Sequence, residues 1–220
     1  MSNHELFADG ETLGKAARAI ELPDGATLLC GFALAHEAVL LSAFDEVVAA
    51  APFRRMVTPG GHTMSVAMTN CGAYGWVTDH TGYRYDARDP LSNMAWPAMP
   101  AAFRTLAETA ATHAGYVDFS PDACLINCYE PGARMSLHQD RNERDFSAPI
   151  VSVSLGLTAT FQLGGMQRTD KVQRFPLLHG DVLVWGGPSR LLFHGVQPLK
   201  EGVHTRLGRR RINLTFRHAR

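Results

Sequence analysis

Net charge is what this sequence most plainly lacks: 21 lysines and arginines balance 21 aspartates and glutamates over 220 residues, with ten histidines counted neutral. Proteins that coat nucleic acid non-specifically do so through a cationic surplus, so that class is set aside; a compact enzyme touching a few phosphates is not. Long apolar runs are also missing. No stretch approaches the ~20 residues of a membrane span, and residues 1–20 lack the basic-then-apolar order of a secretion signal. A cytoplasmic protein without a membrane partner is therefore expected. Cysteine is scarce, and Cys30, Cys71, Cys124 and Cys128 form no C-x-x-C pair. A zinc site is not expected, and these thiols read as small buried hydrophobes. Repeats and low-complexity linkers are absent too, so a chain that is 45% hydrophobic predicts one domain, 1–220, with its own core.

Charge is nevertheless unevenly spread. Residues 1–50 hold eight acids against Lys15 and Arg18, while residues 200–220 hold Lys200 and six arginines against Glu201. Basic residues near the C-terminus suit phosphate partners, although Arg209-Arg210-Arg211 also reads as solvated loop charge.

The informative polar residues are His138-Gln139-Asp140 and the distant His194. Two imidazoles and one carboxylate can occupy one face of an octahedral ferrous ion and leave three positions open, the ligand set of non-haem iron oxygenases. With ten histidines in the chain, such a spacing also arises by chance. The run Arg211-Ile212-Asn213-Leu214-Thr215-Phe216-Arg217 adds weight, because as a strand it places Arg211, Asn213, Thr215 and Arg217 on one face and the apolar residues on the other. Buried guanidinium forks meet planar anions bidentately, so a dicarboxylate on that face would use both arginines. The alternative is an edge strand with its arginines in water. A second strand, Cys124-Leu125-Ile126-Asn127-Cys128-Tyr129, puts Leu125, Asn127 and Tyr129 on one face, where an amide and a phenol could complete the hydrogen bonding of a buried carboxylate or simply face solvent.

The remaining patterns predict a mainly β protein with flanking helices. Ala35 to Ala50 reads as a helix ended by Pro52, and Ala101 to Ala114 as another between Pro100 and Gly115. From Cys124 onward short strands recur at 150–157, 160–163, 174–178, 181–185, 191–194 and 212–216, indicating a sandwich or jelly roll. Residues 53–97 are rich in Gly, Pro, Met and aromatics. There Trp76, Tyr83 and Tyr85 interleave with Arg84 and Arg88, a surface that suits stacked bases and phosphates, although aromatics are ordinarily core residues.

Ordered blocks from about Pro52 to Arg217 resemble the bacterial AlkB-family iron(II)/2-oxoglutarate dioxygenases, the oxidative nucleic-acid demethylases. They include Met56-Val57-Thr58-Pro59-Gly60-Gly61, Met64 to Gly72, Trp96 to Pro100, Pro121 to Asn127, Leu137 to Asp140, Val151 to Leu157 and the terminal arginine run. The resemblance implies a double-stranded β-helix of the cupin-like kind over 120–217, an N-terminal extension and helix over 1–50, and a nucleotide-recognition lid over 53–97. It implies that His138, Asp140 and His194 hold Fe(II), and that Arg211 and Arg217 clamp 2-oxoglutarate with help from Asn127, Tyr129 and Asn213. Dioxygen completes the set. Substrate contacts fall to Met68, Trp76, Tyr83, Arg84, Tyr85, Asn142 and Arg168, with a flipped base held between Trp76 and His138. The implied partner is alkylated single-stranded DNA, with RNA and duplex DNA open, and the implied state is a monomer.

One position departs from an example of the family that carries an acid two residues after the aspartate matching Asp140; here Asn142 precedes Glu143. A carboxylate favours cationic lesions such as 1-methyladenine and 3-methylcytosine more than an amide does, so Asn142 implies a weaker preference for them over neutral adducts such as ethenoadenine. Glu143 swinging in, or the Asn142 carbonyl taking the same hydrogen bond, would cancel that effect. Two rival functions stay open: the same oxygenase chemistry on a substrate other than nucleic acid, and a non-catalytic reader of alkylated nucleic acid. A missing ligand would mark the reader, and none is missing.

Overall fold

Alternation of side chains builds two faces here, one for helices and one for a cavity. The computed structural model describes residues 18–220, so the acids and Lys15 within the first 17 positions lie outside the described residues. The strands are β1 (Arg18–Glu21), β2 (Thr27–Cys30), β3 (Ala67–Gly72), β4 (Gly75–Asp79), β5 (Gly82–Asp86), β6 (Ala123–Tyr129), β7 (Met135–His138), β8 (Ile150–Gly156), β9 (Ala159–Leu163), β10 (Gln173–Leu177), β11 (Val182–Trp185), β12 (His194–Val196) and β13 (Arg211–Arg217). Two helices, α1 (Glu37–Ala50) and α2 (Ala101–His113), complete the frame. One antiparallel sheet runs β1-β2-β11-β8-β13-β6-β3, a second runs β10-β9-β12-β7, and β4-β5 form a separate hairpin. Strands β6 to β13 divide between the two larger sheets, four in each, switching sheet at every step but the β9-β10 hairpin, which is the double-stranded β-helix.

Strand β13 lies between β8 and β6 with all seven residues buried, so its arginines are not edge residues in water. Ile212, Leu214 and Phe216 join Val151, Val153, Ile126 and Val184 in a core against the helices. Helix α1 contributes Leu40, Leu41, Phe44 and Val47, and α2 contributes Phe103, Leu106, Ala107 and Ala110. Phe103 meets Phe216 edge-on at 6.0 Å. A second core lies between the sheets, where Tyr129, Ile150, Leu183 and Trp185 meet Phe161, Leu163 and Val196. It surrounds the cavity described below.

The structure corrects three sequence expectations. The strand expected at 191–194 is instead His194–Val196. Gly187–Ser189 forms a 3-10 turn, the Ser189 hydroxyl bonds within it, and Leu192 N–H donates to Ser189 O, so Leu191 to Phe193 approach β12 as a loop. The span 53–97 is not a lid throughout, because β3 pairs with β6 over its full length at the edge of the large sheet. Finally β7, unforeseen, pairs with β12 so that His138 and His194 are register partners.

Gly156 ends β8 opposite Arg211 at φ +93°, and a Cβ there would collide with the Arg210 carbonyl oxygen. Both the left-handed conformation and the close approach require glycine. Gly156→Ala is expected to cost about 1–3 kcal/mol, read as a lowered Tm.

Candidate active site

Register places the central residues before any side-chain detail is considered. His138 closes β7 and His194 opens β12, and their pairing sets the rings 4.4 Å apart between centroids. Asp140, two residues beyond His138, turns back so that its two carboxylate oxygens lie 3.6 Å from His138 Nε2 and 3.7 Å from His194 Nε2. Among the described residues these three form the one cluster of His, Cys, Asp and Glu whose donor atoms all lie within 4.8 Å of one another. Neighbouring corners of an octahedron with bonds near 2.1 Å sit roughly 3 Å apart, so a small contraction would satisfy an ion.

Backbone carbonyls orient both imidazoles. His138 Nδ1 lies 2.8 Å from Ser136 O and His194 Nδ1 3.0 Å from Leu192 O. A carbonyl only accepts, so each Nδ1 carries the proton and each Nε2 keeps its lone pair for a metal. Burial, then the neighbouring His194, pushes His138 down to about 4, even though its side chain keeps 37% exposure at the cavity. Burial alone would raise Asp140, but Arg217 and the two histidines more than offset it and hold the carboxyl well below the usual range. At neutral pH His138 and Asp140 are therefore already in their ligating forms.

The cavity beneath them measures about 890 Å³. Its floor is the inner face of the large sheet, with Leu125, Asn127 and Tyr129 from β6, Ser152 from β8, and Arg211, Asn213, Thr215 and Arg217 from β13. Ser152 and Ser154 escaped notice in the sequence, although the alternation Val151-Ser152-Val153-Ser154 signals a polar inner face. The cavity thus collects all five residues expected to hold the cosubstrate.

The two arginines of β13 differ in what they still need. Arg211 is 1% exposed, donates from Nη2 to Ser154 Oγ at 2.9 Å and lies 5.0 Å from the Tyr129 ring centroid. Its Nε and Nη1 are buried without a partner, as is Asn127 Oδ1. A buried cation with two idle donors is a costly arrangement, and a carboxylate placed there would relieve it. Arg217 is already engaged, donating to Asp140 Oδ2 from Nη2 at 2.6 Å and from Nε at 3.1 Å. Both arginines line the cavity, Arg211 with two nitrogens free to meet an anion and Arg217 in contact with the metal-ligand candidate Asp140.

The expected substrate residues also divide. Met68, Trp76, Tyr83, Asn142 and Arg168 line the cavity. Trp76 stacks on Tyr83 with centroids 5.8 Å apart, and its indole N–H donates to Asn142 Oδ1 at 3.1 Å. Arg168 lies 5.1 Å from the Phe193 ring centroid. Arg84 and Tyr85 are not in the lining. Arg84 is held by Asp79 at 2.9 Å and Asp86 at 3.5 Å, neighbours on its own hairpin. Tyr85 is buried and donates to Glu143 Oε1 at 2.6 Å. Sequence reading passed over Arg134 and Arg141, exposed cations that join Arg168 at the mouth. It named Glu143 only as an acid that could swing toward the base and passed over Arg190, and both are buried charges that no periodicity announces.

Comparison with known proteins agrees with this geometry. Residues 25–217 match the family model described as the 2OG-Fe(II) oxygenase superfamily. The chain is 55% identical to the alpha-ketoglutarate-dependent dioxygenase AlkB of Salmonella typhimurium over 98% of this chain and 97% of that one. It is 47% identical to the AlkB homolog of Caulobacter vibrioides over 77% and 76% of the two chains. The human nucleic acid dioxygenase ALKBH1 is 35% identical, over 55% of this chain and 31% of its own length. Among solved structures, OsALKBH1 superposes with a TM-score of 0.79 at 28% identity, covering 91% of this chain and all of that one.

Proposed function

The chain belongs to the 2OG-Fe(II) oxygenase superfamily and, within it, to the bacterial AlkB dioxygenases, and from that premise we propose that it repairs alkylated single-stranded DNA as a cytoplasmic monomer. Its activity is the iron- and 2-oxoglutarate-dependent oxidative demethylation of nucleic acid. The observation that carries the reading is one cavity holding both halves of the chemistry: a His138, Asp140 and His194 donor set beside the idle donors of Arg211, with the Trp76 and Tyr83 stack in the same lining.

When bound, iron with 2-oxoglutarate and dioxygen supplies the oxidising power, turning an N-methyl group into N-hydroxymethyl while 2-oxoglutarate becomes succinate and carbon dioxide. His138 and His194 would hold the iron through Nε2 and Asp140 through its carboxylate, and the Arg211 guanidinium would meet a carboxylate of 2-oxoglutarate. Asn127, Tyr129 and Asn213 line the same floor, positioned to bond the cosubstrate. The N-hydroxymethyl group then releases formaldehyde: its hydroxyl proton passes to water, the O–H pair closes the C=O bond, and the C–N pair returns to the ring nitrogen. Trp76 and Tyr83 offer the aromatic surface on which a flipped base stacks, and exposed Arg134, Arg141 and Arg168 flank the opening where phosphates would pass.

Support for single strands is that a base must leave its stack to reach the metal, and unpairing costs a few kcal/mol that a single strand does not demand. The test compares 3-methylcytosine repair in one oligonucleotide, free or annealed to its complement. At least about tenfold higher kcat/KM on the free strand is expected. Equal values would overturn the strand preference.

Asn142 sets a second expectation. Glu143 is buried and bonded to Tyr85, outside the cavity lining, so it does not replace the acid missing at 142. Asn142→Asp keeps the oxygen that accepts the Trp76 indole N–H and adds a charge. The ratio of rates on 1-methyladenine and ethenoadenine should rise about fivefold, the worth of roughly 1 kcal/mol for a partly exposed charge pair. An unchanged ratio would show that Asn142 does not discriminate lesion charge.

A further inference from the structure

Two hydrogen bonds tie the β4-β5 hairpin to the loop that leaves the metal-ligand candidates. Trp76 and Tyr85 are register partners across the hairpin. Trp76 Nε1–H donates to Asn142 Oδ1 at 3.1 Å, and Tyr85 Oη–H donates to Glu143 Oε1 at 2.6 Å. Neighbouring hairpin positions thus grip consecutive loop residues, two and three places after Asp140. Arg220 adds a clasp, donating to Tyr85 O at 3.2 Å and Asn142 O at 3.4 Å.

Glu143 carries this grip inward. Its side chain is 2% exposed, with Oε1 3.4 Å from Arg217 Nε and Oε2 3.1 Å from Arg190 Nη2. The Oε2 contact is ionic and makes no hydrogen bond. Arg217 in turn holds Asp140 Oδ2, while Arg190 donates from Nη1 to the Asp140 backbone carbonyl at 2.7 Å and from Nε to Ala148 O at 3.1 Å. Two buried carboxylates and two buried guanidiniums therefore balance around Asp140. Glu143 touches both guanidiniums and the hairpin, yet does not line the cavity.

We propose that Glu143 is a positioning residue that couples the base-stacking hairpin to the metal ligand, through the chain Tyr85, Glu143, Arg217 and Asp140. The proposal rests on the function assigned above. With the hairpin seated, Tyr85 fixes Glu143, Glu143 shares Arg217 with Asp140, and the Asp140 carboxylate is left able to turn toward an ion. Without the Glu143 charge, Arg217 has one anionic partner instead of two and draws Asp140 to itself. The cluster also gains a net positive charge that opposes a divalent cation.

Mn(II) binding to the metal-free protein, followed by the spectrum of the free ion, tests this without turnover. Glu143→Gln is expected to weaken Mn(II) at least about tenfold, the range for a residue that orients a ligand. Wild-type affinity in a folded Glu143→Gln protein overturns the proposal. Tyr85→Phe breaks the hairpin end and leaves the charges intact, so Mn(II) affinity should stay within about twofold while succinate formed per base repaired rises at least about threefold. A Tyr85→Phe protein with an unchanged succinate-to-repair ratio overturns the coupling, and decides the matter if Glu143→Gln does not fold. In the double variant the succinate-to-repair ratio should match that of Glu143→Gln alone, as expected when two residues act through one chain. Should the wild-type protein repair no base, the functional reading fails and the Mn(II) result alone judges Glu143.

Discussion

Asp140→Ala is expected to abolish demethylation, with a loss of at least about a thousandfold in kcat/KM, because it removes the only anionic donor of the candidate metal cluster. Mn(II) binding should disappear with it. Stability changes as well, in a direction fixed by Arg217. That guanidinium donates twice to Asp140 Oδ2 and is itself buried. Breaking a buried pair by removing one partner commonly costs about 3–5 kcal/mol, and Glu143 at 3.4 Å should absorb part of it. The pH dependence has a definite sign. Asp140 is held below the ordinary carboxylate range, so its contribution to stability is present above its unfolded value of about 4 and is lost as pH falls below it. Asp140→Ala should flatten that acid limb of the stability curve, measured as Tm against pH. A variant with full activity would remove Asp140 from the metal site.

Arg211→Met should separate function from stability in opposite directions. Two charge-assisted bonds from Nε and Nη1 to a carboxylate are worth about 1.5–3 kcal/mol each when made, so KM for 2-oxoglutarate should rise at least about a hundredfold. The ligand-free protein, in contrast, should melt at the same or a higher temperature. Burial pulls Arg211 below its usual range, its Nε and Nη1 are idle, and methionine fills similar space without a charge to desolvate. Adding 2-oxoglutarate should raise the wild-type Tm and leave that of Arg211→Met unchanged. A variant destabilised without ligand and normal in KM would mean that Arg211 holds the sheet together and not the cosubstrate.

Regular alternation made part of this site legible in the sequence. Arg211, Asn213, Thr215 and Arg217 face the cavity and Ile212, Leu214 and Phe216 face the helices, because a strand allows no other division. The same logic placed Leu125, Asn127 and Tyr129. It failed where local pattern and tertiary partner disagree. Leu191-Leu192-Phe193 reads as a strand, but the Gly186-Gly187-Pro188 turn and the Phe193 N–H bond to Gly165 O make it a loop. Tyr85 stands two residues after Tyr83 on the same strand, a spacing that shares one face, yet Tyr83 lies at the cavity and Tyr85 turns to Glu143, a partner 58 positions away. Arg217 lines the cavity as the alternation requires, but nothing local shows that it also meets Asp140, 77 positions earlier. Long-range ionic partners are chosen by the fold, not by spacing.

The measurement that bears most directly on the central claim is the mass of a short single-stranded DNA carrying one 3-methylcytosine. It is incubated with the protein, Fe(II), 2-oxoglutarate and air. The account expects the loss of one methylene equivalent, dependent on both Fe(II) and 2-oxoglutarate, with succinate and formaldehyde formed in step. An oligonucleotide that binds but keeps its mass would contradict it and favour a reader, while succinate formed without mass loss would mean an oxygenase acting on another substrate.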